Sequence, residues 1–355
     1  MKILFLTVGS ELTASSRTRV YQYLPHLKKK GYKFKVIPFA SDSFSNIQAK
    51  LGQKLGLLMD RIYKAFKIIK FLFLCPFFDI VFIQKVAFLP IWFQKIVRLS
   101  NEHIIFDFDD AIYLTDKERT KTISNESIKL DSKFFHMVSI SKCILLENKY
   151  TKGFIRKYNS NIHMITGPID TDRYLPKPQK KSSEVVIGWI GSQSTTMYLK
   201  LLKGPLYALS LKYPNIKVEL IGASPIKLKS IKMEIKQWSL DSEMGNLQNF
   251  DIGIMCLPNN PWTQGKGGYK LLQYMAIGIP CVASPVGINK EIIIDGINGF
   301  LCESSKDWEE KLSILIENPE LRNSMGKKGR KGVEAFYSLK TNASKLINIL
   351  EKTNK

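Results

Sequence analysis

Short apolar runs alternate with longer amphipathic stretches through the first half of the chain. The runs predict buried strands at residues 3–8, 32–39, 79–83, 104–106, 138–141 and 162–165. Residues 16–30 predict a helix that ends at Gly31. Strands that alternate with helices are typical of a doubly wound α/β sheet.

The pattern stops at a linker and then starts again. Residues 166–181 contain Gly167, three prolines and several lysines, and they show no apolar periodicity. Further strands are predicted at residues 185–190, 217–221, 251–255 and 281–283, and helices at 197–211 and 339–350. The chain is therefore predicted to form two Rossmann-like halves joined near residue 175, with ligands beyond the carboxyl ends of the strands.

A glycine-rich loop lies between two predicted elements of the second half. It carries three glycines and two nearby lysines, namely Gly265, Gly267, Gly268, Lys266 and Lys270. A helix follows at residues 269–277, and such a loop before a helix N-terminus suits a diphosphate. Gln273 lies one turn into this helix, where it would reach a sugar hydroxyl. Spacing alone leaves a purely structural loop as the alternative.

The residues after this loop resemble the donor-binding half of the family 4 glycosyltransferases of the GT-B fold. From Lys270 to Gly287 they read KLLQYMAIGIPCVASPVG, and Glu291, Asp295-Gly296 and Asn298-Gly299-Phe300 follow. The family usually carries two glutamates separated by seven residues, and their places here are taken by Gly265 and Gln273. The sequence GKGGYKLLQYMA is similar to a variant branch of the family that lacks this pair.

The resemblance implies an α/β GT-B architecture of two Rossmann-like domains that face each other across a cleft. Residues 1–175 would bind the acceptor and 176–335 the nucleotide-sugar donor, and a C-terminal helix at 336–355 would return to the first domain. Lys266, Lys270 and the N–H groups of Gly267 and Gly268 would hold the diphosphate. Gln273 would contact the ribose or the sugar, so replacing it with glutamate is expected to be tolerated.

The implied activity is retaining transfer of a hexose from a nucleotide-diphosphate donor to a glycan or lipid-linked acceptor, in cell-surface polysaccharide or glycolipid assembly. No cofactor and no obligatory metal are expected. A nucleotide-sugar epimerase of similar fold and a non-catalytic nucleotide-sugar-binding partner subunit stay open as alternatives. The absence of a Gly-x-Gly-x-x-Gly pattern after the first strand disfavours a dehydrogenase.

Two turns after predicted strands carry further candidates for phosphate binding. Gly191, Ser192 and Ser194 follow the strand at 185–190, where hydroxyl groups either donate to phosphate oxygens or cap the next helix. Gly9 follows the first strand, and Arg17 and Arg19 lie at the predicted start of the next helix. Arginines beside free backbone N–H groups suit a phosphate or an acceptor, and the alternative is a solvated helix face.

An acidic turn follows the predicted strand at residues 104–106. Asp107, Asp109 and Asp110 lie at the carboxyl end of that strand, and we name Asp109 and Asp110 as catalytic candidates. Clustered carboxylates bind Mg²⁺ in many proteins. The resemblance argues against a metal here, so the acids are expected to orient an acceptor or to structure the turn.

The formal charge of +22 on 355 residues predicts an acidic partner. Nucleic acid is disfavoured because the basic residues are dispersed and no binding motif occurs. Between residues 51 and 98, basic side chains recur every third position at Arg61, Lys64, Lys67 and Lys70. Apolar side chains are expected largely opposite them, at Leu57, Leu58, Ile62, Phe66, Ile69 and Phe73. This pattern favours an anionic membrane surface, and the alternative is a core helix with a solvated outer face.

Cellular location is predicted from the same features. The apolar start at residues 3–8 is too short for a signal peptide, and no apolar run reaches the roughly 18 residues that span a bilayer. The five cysteines form no metal-ligand pattern, which favours reduced thiols in a cytoplasm. We therefore expect a cytoplasmic protein that associates peripherally with the inner face of the membrane.

Overall fold

The structure is a computed structural model that describes residues 1–40, 53–114, 131–176, 183–227 and 231–355. Parts of the predicted linker and of the basic stretch, residues 177–181 and 51–52, lie outside the described residues. The chain divides into two compact units. The first contains Met1–Pro168, Gly265–Gly267 and Asn342–Lys355, and the second contains Ile169–Gln264 and Gly268–Thr341.

The first unit is built on a parallel sheet. Its described strands are β1 (Lys2–Thr7), β2 (Lys33–Pro38), β3 (Ile80–Gln84), β4 (Ile104–Asp107), β5 (Cys143–Leu146) and β6 (Ile162–Met164). They lie in the order β2-β1-β3-β4-β5-β6, with Phe5 paired to Phe82 across β1 and β3. Every residue of β3, β4 and β5 is buried, as expected for a sheet covered on both faces.

Helices cover this sheet. They are α1 (Ala14–Arg19), α2 (Leu24–Lys29), α3 (Gln53–Leu74), α4 (Ile91–Ser100), α5 (Ser132–Ile140) and α6 (Lys149–Ile155). The single helix predicted at residues 16–30 is instead α1 and α2 joined by a 3₁₀ turn at Tyr21–Tyr23. Pro25 lies in the first turn of α2, where its missing N–H costs no hydrogen bond, so a new helix begins there.

The strand predicted at residues 138–141 is wrong. These residues end helix α5, whose first turn is capped by the Asp131 side chain as it accepts from the N–H groups of Lys133 and Phe134. The true strand, β5, comes immediately afterwards. The mostly apolar stretch from residue 134 to 146 covers a buried helix and a buried strand, and periodicity alone does not separate the two.

Helix α3 turns its apolar stripe outward. Ile62, Phe66, Ile69 and Phe73 share one face and are 55%, 62%, 66% and 72% exposed. The opposite face holds buried Phe71 and half-buried Lys64 and Lys67. The Lys64 Nζ pairs with Asp60 at 2.6 Å and lies 5.6 Å from the centre of the Phe39 ring.

These contacts correct the expected arrangement of this helix. Lys64 and Lys67 are on the face that packs against the first unit, while Arg61 and Lys70 are exposed at the two flanks of the apolar stripe. The alternative of a core helix with a polar outer face is also wrong. Helix α4 repeats the pattern, with Trp92 and Leu99 exposed and Phe93 and Val97 buried.

The second unit contains another parallel sheet. Its described strands are β7 (Val185–Ile190), β8 (Ile216–Ile221), β9 (Met233–Lys236), β10 (Ile252–Met255), β11 (Cys281–Ala283) and β12 (Gly299–Leu301), in the order β12-β11-β10-β7-β8-β9. The predicted bounds of β7 and β11 agree with the structure. The edge strands β9 and β12 were not predicted, because they are short and only partly buried.

The helices of the second unit are mostly short. They are α7 (Lys203–Lys212), α8 (Glu243–Leu247), α9 (Pro261–Gln264), α10 (Tyr269–Ala276), α11 (Asn289–Ile292), α12 (Ser305–Glu317) and α13 (Pro319–Gly332), with a π-helical turn at Val333–Tyr337. The helix predicted at residues 197–211 begins earlier, as a 3₁₀ helix over Gln193–Leu202 that continues into α7. The prediction of two Rossmann-like halves is confirmed.

The final helix, α14 (Leu339–Thr353), belongs largely to the first unit. Asn342 donates its side-chain N–H to the Thr166 carbonyl at 3.2 Å, and the Tyr32 hydroxyl donates to Glu351 at 2.7 Å. The predicted return of the C-terminal helix to the first domain is confirmed by these contacts.

Candidate active site

Two aspartates and two lysines meet at the carboxyl edge of the first sheet. Asp109 accepts from Lys85 Nζ at 2.8 Å and from the Ser15 hydroxyl at 2.9 Å. Asp110 lies 3.7 Å from Lys85 Nζ and 3.1 Å from Lys266 Nζ. We call Ser15, Lys85, Asp109, Asp110 and Lys266 the first-unit cluster.

The backbone of this cluster is strained at two positions. Lys85 has a φ of 62° and Asp110 a φ of 56°, in the left-handed region that non-glycine residues rarely adopt. Lys85 follows β3 directly, and its N–H donates to the Asp107 carbonyl at 2.7 Å. Backbone strain of this kind costs about 1–3 kcal/mol per residue and concentrates at functional sites.

Charge pairing keeps Lys85 and Asp109 ionised. Burial alone would raise the pKa of Asp109, but Lys85 and Ser15 lower it to about 2. Burial would likewise lower the pKa of Lys85, and the neighbouring carboxylates of Asp109 and Asp110 raise it instead. Asp109 therefore presents a permanent carboxylate, which is able to accept a hydrogen bond from a substrate hydroxyl.

Arg19 lies beneath this cluster and is committed to protein atoms. Its guanidinium binds both carboxylate oxygens of Asp107, one oxygen of Glu147 at 3.1 Å and the Ile165 carbonyl at 2.6 Å. The side chain is 2% exposed. Two buried acids therefore balance the charge of Arg19, and its expected contact with a phosphate or an acceptor stays a prediction.

The rest of the first loop is held by its own contacts. Arg17 is 8% exposed and donates to the carbonyls of Glu11 and Leu12 at 3.1 and 3.4 Å. Gly9 donates its N–H to the Ser16 hydroxyl, and a Cβ at Gly9 would collide with the Thr13 side chain. These contacts organise the turn between β1 and the six-residue helix α1, and the expected contact of Gly9 and Arg17 with a phosphate or an acceptor stays a prediction.

Glu147 is a buried acid that the sequence analysis did not identify. Burial raises its pKa to about 8; Arg19 opposes this shift, while the three aspartates at 107, 109 and 110 add to it. Arg19 also binds Asp107 through two nitrogens, so its positive charge is shared between Asp107 and Glu147. The misplaced strand at 138–141 concealed Glu147, since it is the first residue after the true β5.

A lysine, a tryptophan and a glycine meet at the carboxyl end of β7 in the second unit. Lys270 Nζ lies 4.2 Å from the centre of the Trp189 ring, a cation–π geometry. A Cβ on Gly191 would lie 2.5 Å from both this amine and the indole. Only glycine fits at position 191, so the backbone there comes close to the Lys270 amine.

The neighbouring serines do not cap the next helix with their side chains. The Ser192 and Ser194 hydroxyls are 2.9 Å apart and exposed, and the 3₁₀ helix that begins at Gln193 has no side-chain cap. The expected capping role is therefore wrong, while the expected contact of both hydroxyls with phosphate stays a prediction.

The glycine-rich loop is divided between the two units. Lys266 and Gly267 belong to the first unit, where the Lys266 carbonyl accepts from Asn148 at 3.0 Å. Gly268 and Lys270 belong to the second unit. Gly268 has a φ of 70° and precedes α10, and a Cβ there would collide with Ile288 and Ile292.

Gln273 belongs to a buried hydrogen-bond network. It is 4% exposed and donates its side-chain N–H to the Tyr174 hydroxyl at 3.0 Å, inside the second unit. The Tyr174 hydroxyl in turn donates to Glu243, which also accepts from the Trp238 indole at 2.6 Å. The amide therefore has a structural partner, and the expected contact between Gln273 and a ribose or sugar stays a prediction.

Among the described residues, no group of three or more His, Cys, Asp or Glu side chains is arranged to hold a metal ion. The acids of the first unit are paired with Arg19, Lys85 and Lys266 instead. All five cysteines are free and buried. No helix in the described part of the chain is long and apolar enough to cross a membrane.

Residues 177–332 match the family model described as glycosyl transferases group 1. Spore coat protein SA of Bacillus subtilis is 32% identical over 81 residues, 22% of this chain and 22% of that protein. The N-acetyl-alpha-D-glucosaminyl L-malate synthase of Bacillus anthracis is 37% identical over 76 residues, 21% of this chain and 20% of that protein. The chain thus matches about a fifth of the length of these curated relatives.

Solved glycosyltransferases share the fold of the whole chain. A glycosyltransferase from Rickettsia africae matches with a TM-score of 0.68 and 16% identity over 100% of this chain and 98% of that one. Anabaena HepE, solved with UDP and glucose, matches with a TM-score of 0.66 and 13% identity over 99% of each chain. The predicted GT-B fold class is confirmed.

Proposed function

We propose that this chain is a retaining glycosyltransferase that moves a hexose from a nucleotide-diphosphate sugar to a glycan or lipid-linked acceptor. The observation that carries the proposal is the match of residues 177–332 to the family model of glycosyl transferases group 1. The acceptor-binding role is assigned to the first unit, whose cluster offers an ionised carboxylate. We further place the chain in the variant branch that lacks the paired glutamates.

The proposed donor site includes the Lys270 amine, held over Trp189 and beside the glycine backbone at 191. An ammonium near a backbone turn suits a diphosphate. By resemblance, Lys266 and the N–H groups of Gly267 and Gly268 are assigned to the same ligand, together with Ser192 and Ser194. The UDP and glucose named for Anabaena HepE support a nucleotide sugar here.

Asp109 is the residue to which we assign the acceptor hydroxyl. Its carboxylate accepts hydrogen bonds from Ser15 and Lys85. A substrate hydroxyl would donate its proton to another lone pair of the same carboxylate. Asp110 ties Lys266 to the same turn. Transfer would then depend on electrostatic stabilisation of the departing diphosphate, with no cofactor and no obligatory metal.

The replacement of both glutamates favours one second candidate. Gly265 and Gln273 stand where the family usually has acids, and Gln273 is buried in a structural network. A nucleotide-sugar-binding partner subunit without activity of its own would accommodate this loss. Donor hydrolysis by the isolated chain separates an enzyme from such a subunit.

We also propose peripheral binding to the inner, anionic face of a membrane. The exposed stripe of α3 runs from Ile62 to Phe73 and is flanked by Arg61 and Lys70. An apolar stripe with basic flanks suits insertion at the level of anionic headgroups. This surface supports a role in cell-surface polysaccharide or glycolipid assembly.

Calorimetric titration with UDP, GDP and CDP tests the proposed donor site. We expect one of these to bind, and Lys270→Met to weaken that binding by about ten- to a hundredfold, as the loss of a charged hydrogen bond predicts. Lys311→Met is the matched control, because Lys311 lies 5.1 Å from the centre of the Phe300 ring. Absence of binding by all three nucleotides, or equal affinity in both variants, would overturn the donor assignment.

A further inference from the structure

A cavity of about 600 Å³ lies in the first unit at the carboxyl ends of β1 and β3, beside the first-unit cluster. Its volume is within the range of small-molecule sites. Strand order reverses between β1 and β3, and open α/β sheets bind ligands at such a switch point. Its lining includes Ser15, Lys85, Phe88, Ile112, Leu114 and Phe134.

The cavity has one polar end and one apolar wall. At the polar end, Ser15 and Lys85 both bond to Asp109. The wall is formed by large hydrocarbon side chains, those of Phe88, Ile112, Leu114 and Phe134. The Asp131 carboxylate is engaged in capping α5. A ligand in this cavity therefore meets hydrogen-bonding groups at one end and hydrocarbon along the other side.

Aromatic contacts connect the apolar wall to helix α3. The Phe88 ring is 49% exposed and packs edge-on against Phe39, with 5.3 Å between ring centres. On the other side of Phe39 lies the Lys64 amine of α3, 5.6 Å from the ring centre. Phe88 thus lies both on the cavity wall and one residue away from the helix that carries the exposed apolar stripe.

We propose that this cavity holds the hydrocarbon part of a lipid-linked acceptor, with the hydroxyl of its head group directed at Asp109. The proposal rests on the proposed function and chooses the lipid-linked acceptor over the free glycan. Phe88 acts as a specificity-determining residue, because it contacts the hydrocarbon chain of the lipid where that hydrocarbon leaves the membrane surface.

The lining distinguishes these two acceptors on physical grounds. Sugar hydroxyls that lose water against Ile112 and Leu114 would find no hydrogen-bond partner, which costs free energy for every group buried. A hydrocarbon chain gains free energy on the same surface, because apolar area leaves water. A hydroxyl at the polar end still reaches a carboxylate acceptor.

Binding of n-octyl β-D-glucoside and of methyl β-D-glucoside to the full chain tests the proposal, because the two share one head group. Saturation-transfer NMR measures each affinity below the micellar concentration. We expect the octyl glucoside to bind at least about tenfold more tightly, since each buried methylene strengthens binding. Phe88→Ala should lose most of this preference, and Ile112→Trp, which fills the cavity, should abolish it.

Phe336→Ala is the matched control, because Phe336 is an exposed phenylalanine of the second unit that does not line the cavity. It should keep the preference for the octyl chain. Equal binding of the two glucosides by the wild type, or equal losses in Phe88→Ala and Phe336→Ala, would overturn the proposal. Nucleotide affinity is measured on the same samples, so a failure of the donor assignment is seen separately from a failure of the acceptor cavity.

Discussion

The carboxylate of Glu147 lies against the α-carbon of Gly267, so closely that a Cβ on residue 267 would overlap the Oε2 atom. The other oxygen of Glu147 accepts from Arg19 at 3.1 Å. Glu147 therefore contacts Arg19 through one carboxylate oxygen and packs against Gly267 of the predicted diphosphate loop through the other. The absence of a side chain at 267 serves packing in the first unit as well as any approach to a ligand.

Gly267→Ala should destabilise the protein by about 1–3 kcal/mol, the usual cost of an overpacked site. Glu147 would have to leave Arg19 to make room. Gly153→Ala is the control, because Gly153 lies in α6 with nothing near its missing Cβ, and alanine favours helix there. Thermal unfolding compares the two, and a melting temperature for Gly267→Ala equal to that of the wild type would contradict the contact.

The raised pKa of Glu147 predicts a dependence of stability on pH. Its pKa rises from 4.5 to about 8 on folding, so the folded protein holds a proton that the unfolded chain has lost between these values. Stability from this group is fully present below the unfolded pKa and is lost as pH rises through about 8.

Glu147→Gln removes this titration and should unfold at a higher temperature than the wild type near pH 9, with a smaller difference near pH 5. Glu310→Gln, at an exposed position of α12, should follow the wild type at both pH values. Melting curves across this range decide the matter. A wild-type curve parallel to that of Glu147→Gln would show that Glu147 does not hold the proton.

Gln273→Glu should be destabilising, contrary to the expectation of a tolerated change. The Gln273 amide donates to the Tyr174 hydroxyl, whose own proton goes to Glu243. A carboxylate at 273 would face an oxygen that has no proton to offer it. Loss of the donor in this buried network should cost about 1–3 kcal/mol.

Gln237→Glu provides the comparison for this change, since Gln237 is exposed in the same unit and should unfold like the wild type. Chemical denaturation measures both free energies of unfolding. If Gln273→Glu were as stable as Gln237→Glu, the hydrogen bond to Tyr174 would not be the role of the amide.

The outward stripe of α3 should bind vesicles in two separable ways. Replacing Arg61 and Lys70 by glutamine should weaken binding to anionic vesicles at low salt, because each basic residue near such a surface contributes about 1 kcal/mol. Replacing Phe66 and Phe73 by serine should remove the part that resists salt. Sedimentation with anionic and with neutral vesicles separates the two contributions.

Lys306 and Lys327 of the second unit are exposed, so their replacement by glutamine changes the net charge equally at another place. That variant should keep its vesicle binding. If it lost as much as the Arg61 and Lys70 variant, overall charge rather than the α3 surface would explain the attraction, and the membrane proposal would fail.

Sequence pattern was sufficient where one element coincided with one apolar run. Strand β7 and strand β11 have the predicted bounds, because each is a short buried run between turn residues. The candidate turns after β1, β4 and β7 were also found, since the end of a buried strand marks the ligand edge of a parallel sheet. The pattern could not separate α5 from β5, which lie together in one mostly apolar stretch.

Tertiary structure alone determined which groups the candidate site side chains contact. Arg19, Arg17 and Gln273 looked like ligand contacts because charge and polarity beside a glycine turn suggest one. In the structure Arg19 and Gln273 bind partners from distant parts of their own units, and Arg17 binds carbonyls five and six residues away. Lys85 and Glu147 escaped notice for the opposite reason, as they stand alone in the sequence and gather with Asp109 only when β3, β4 and β5 lie side by side. The outward face of α3 belongs with these cases, because helical periodicity identifies two faces and only packing shows which one the sheet covers.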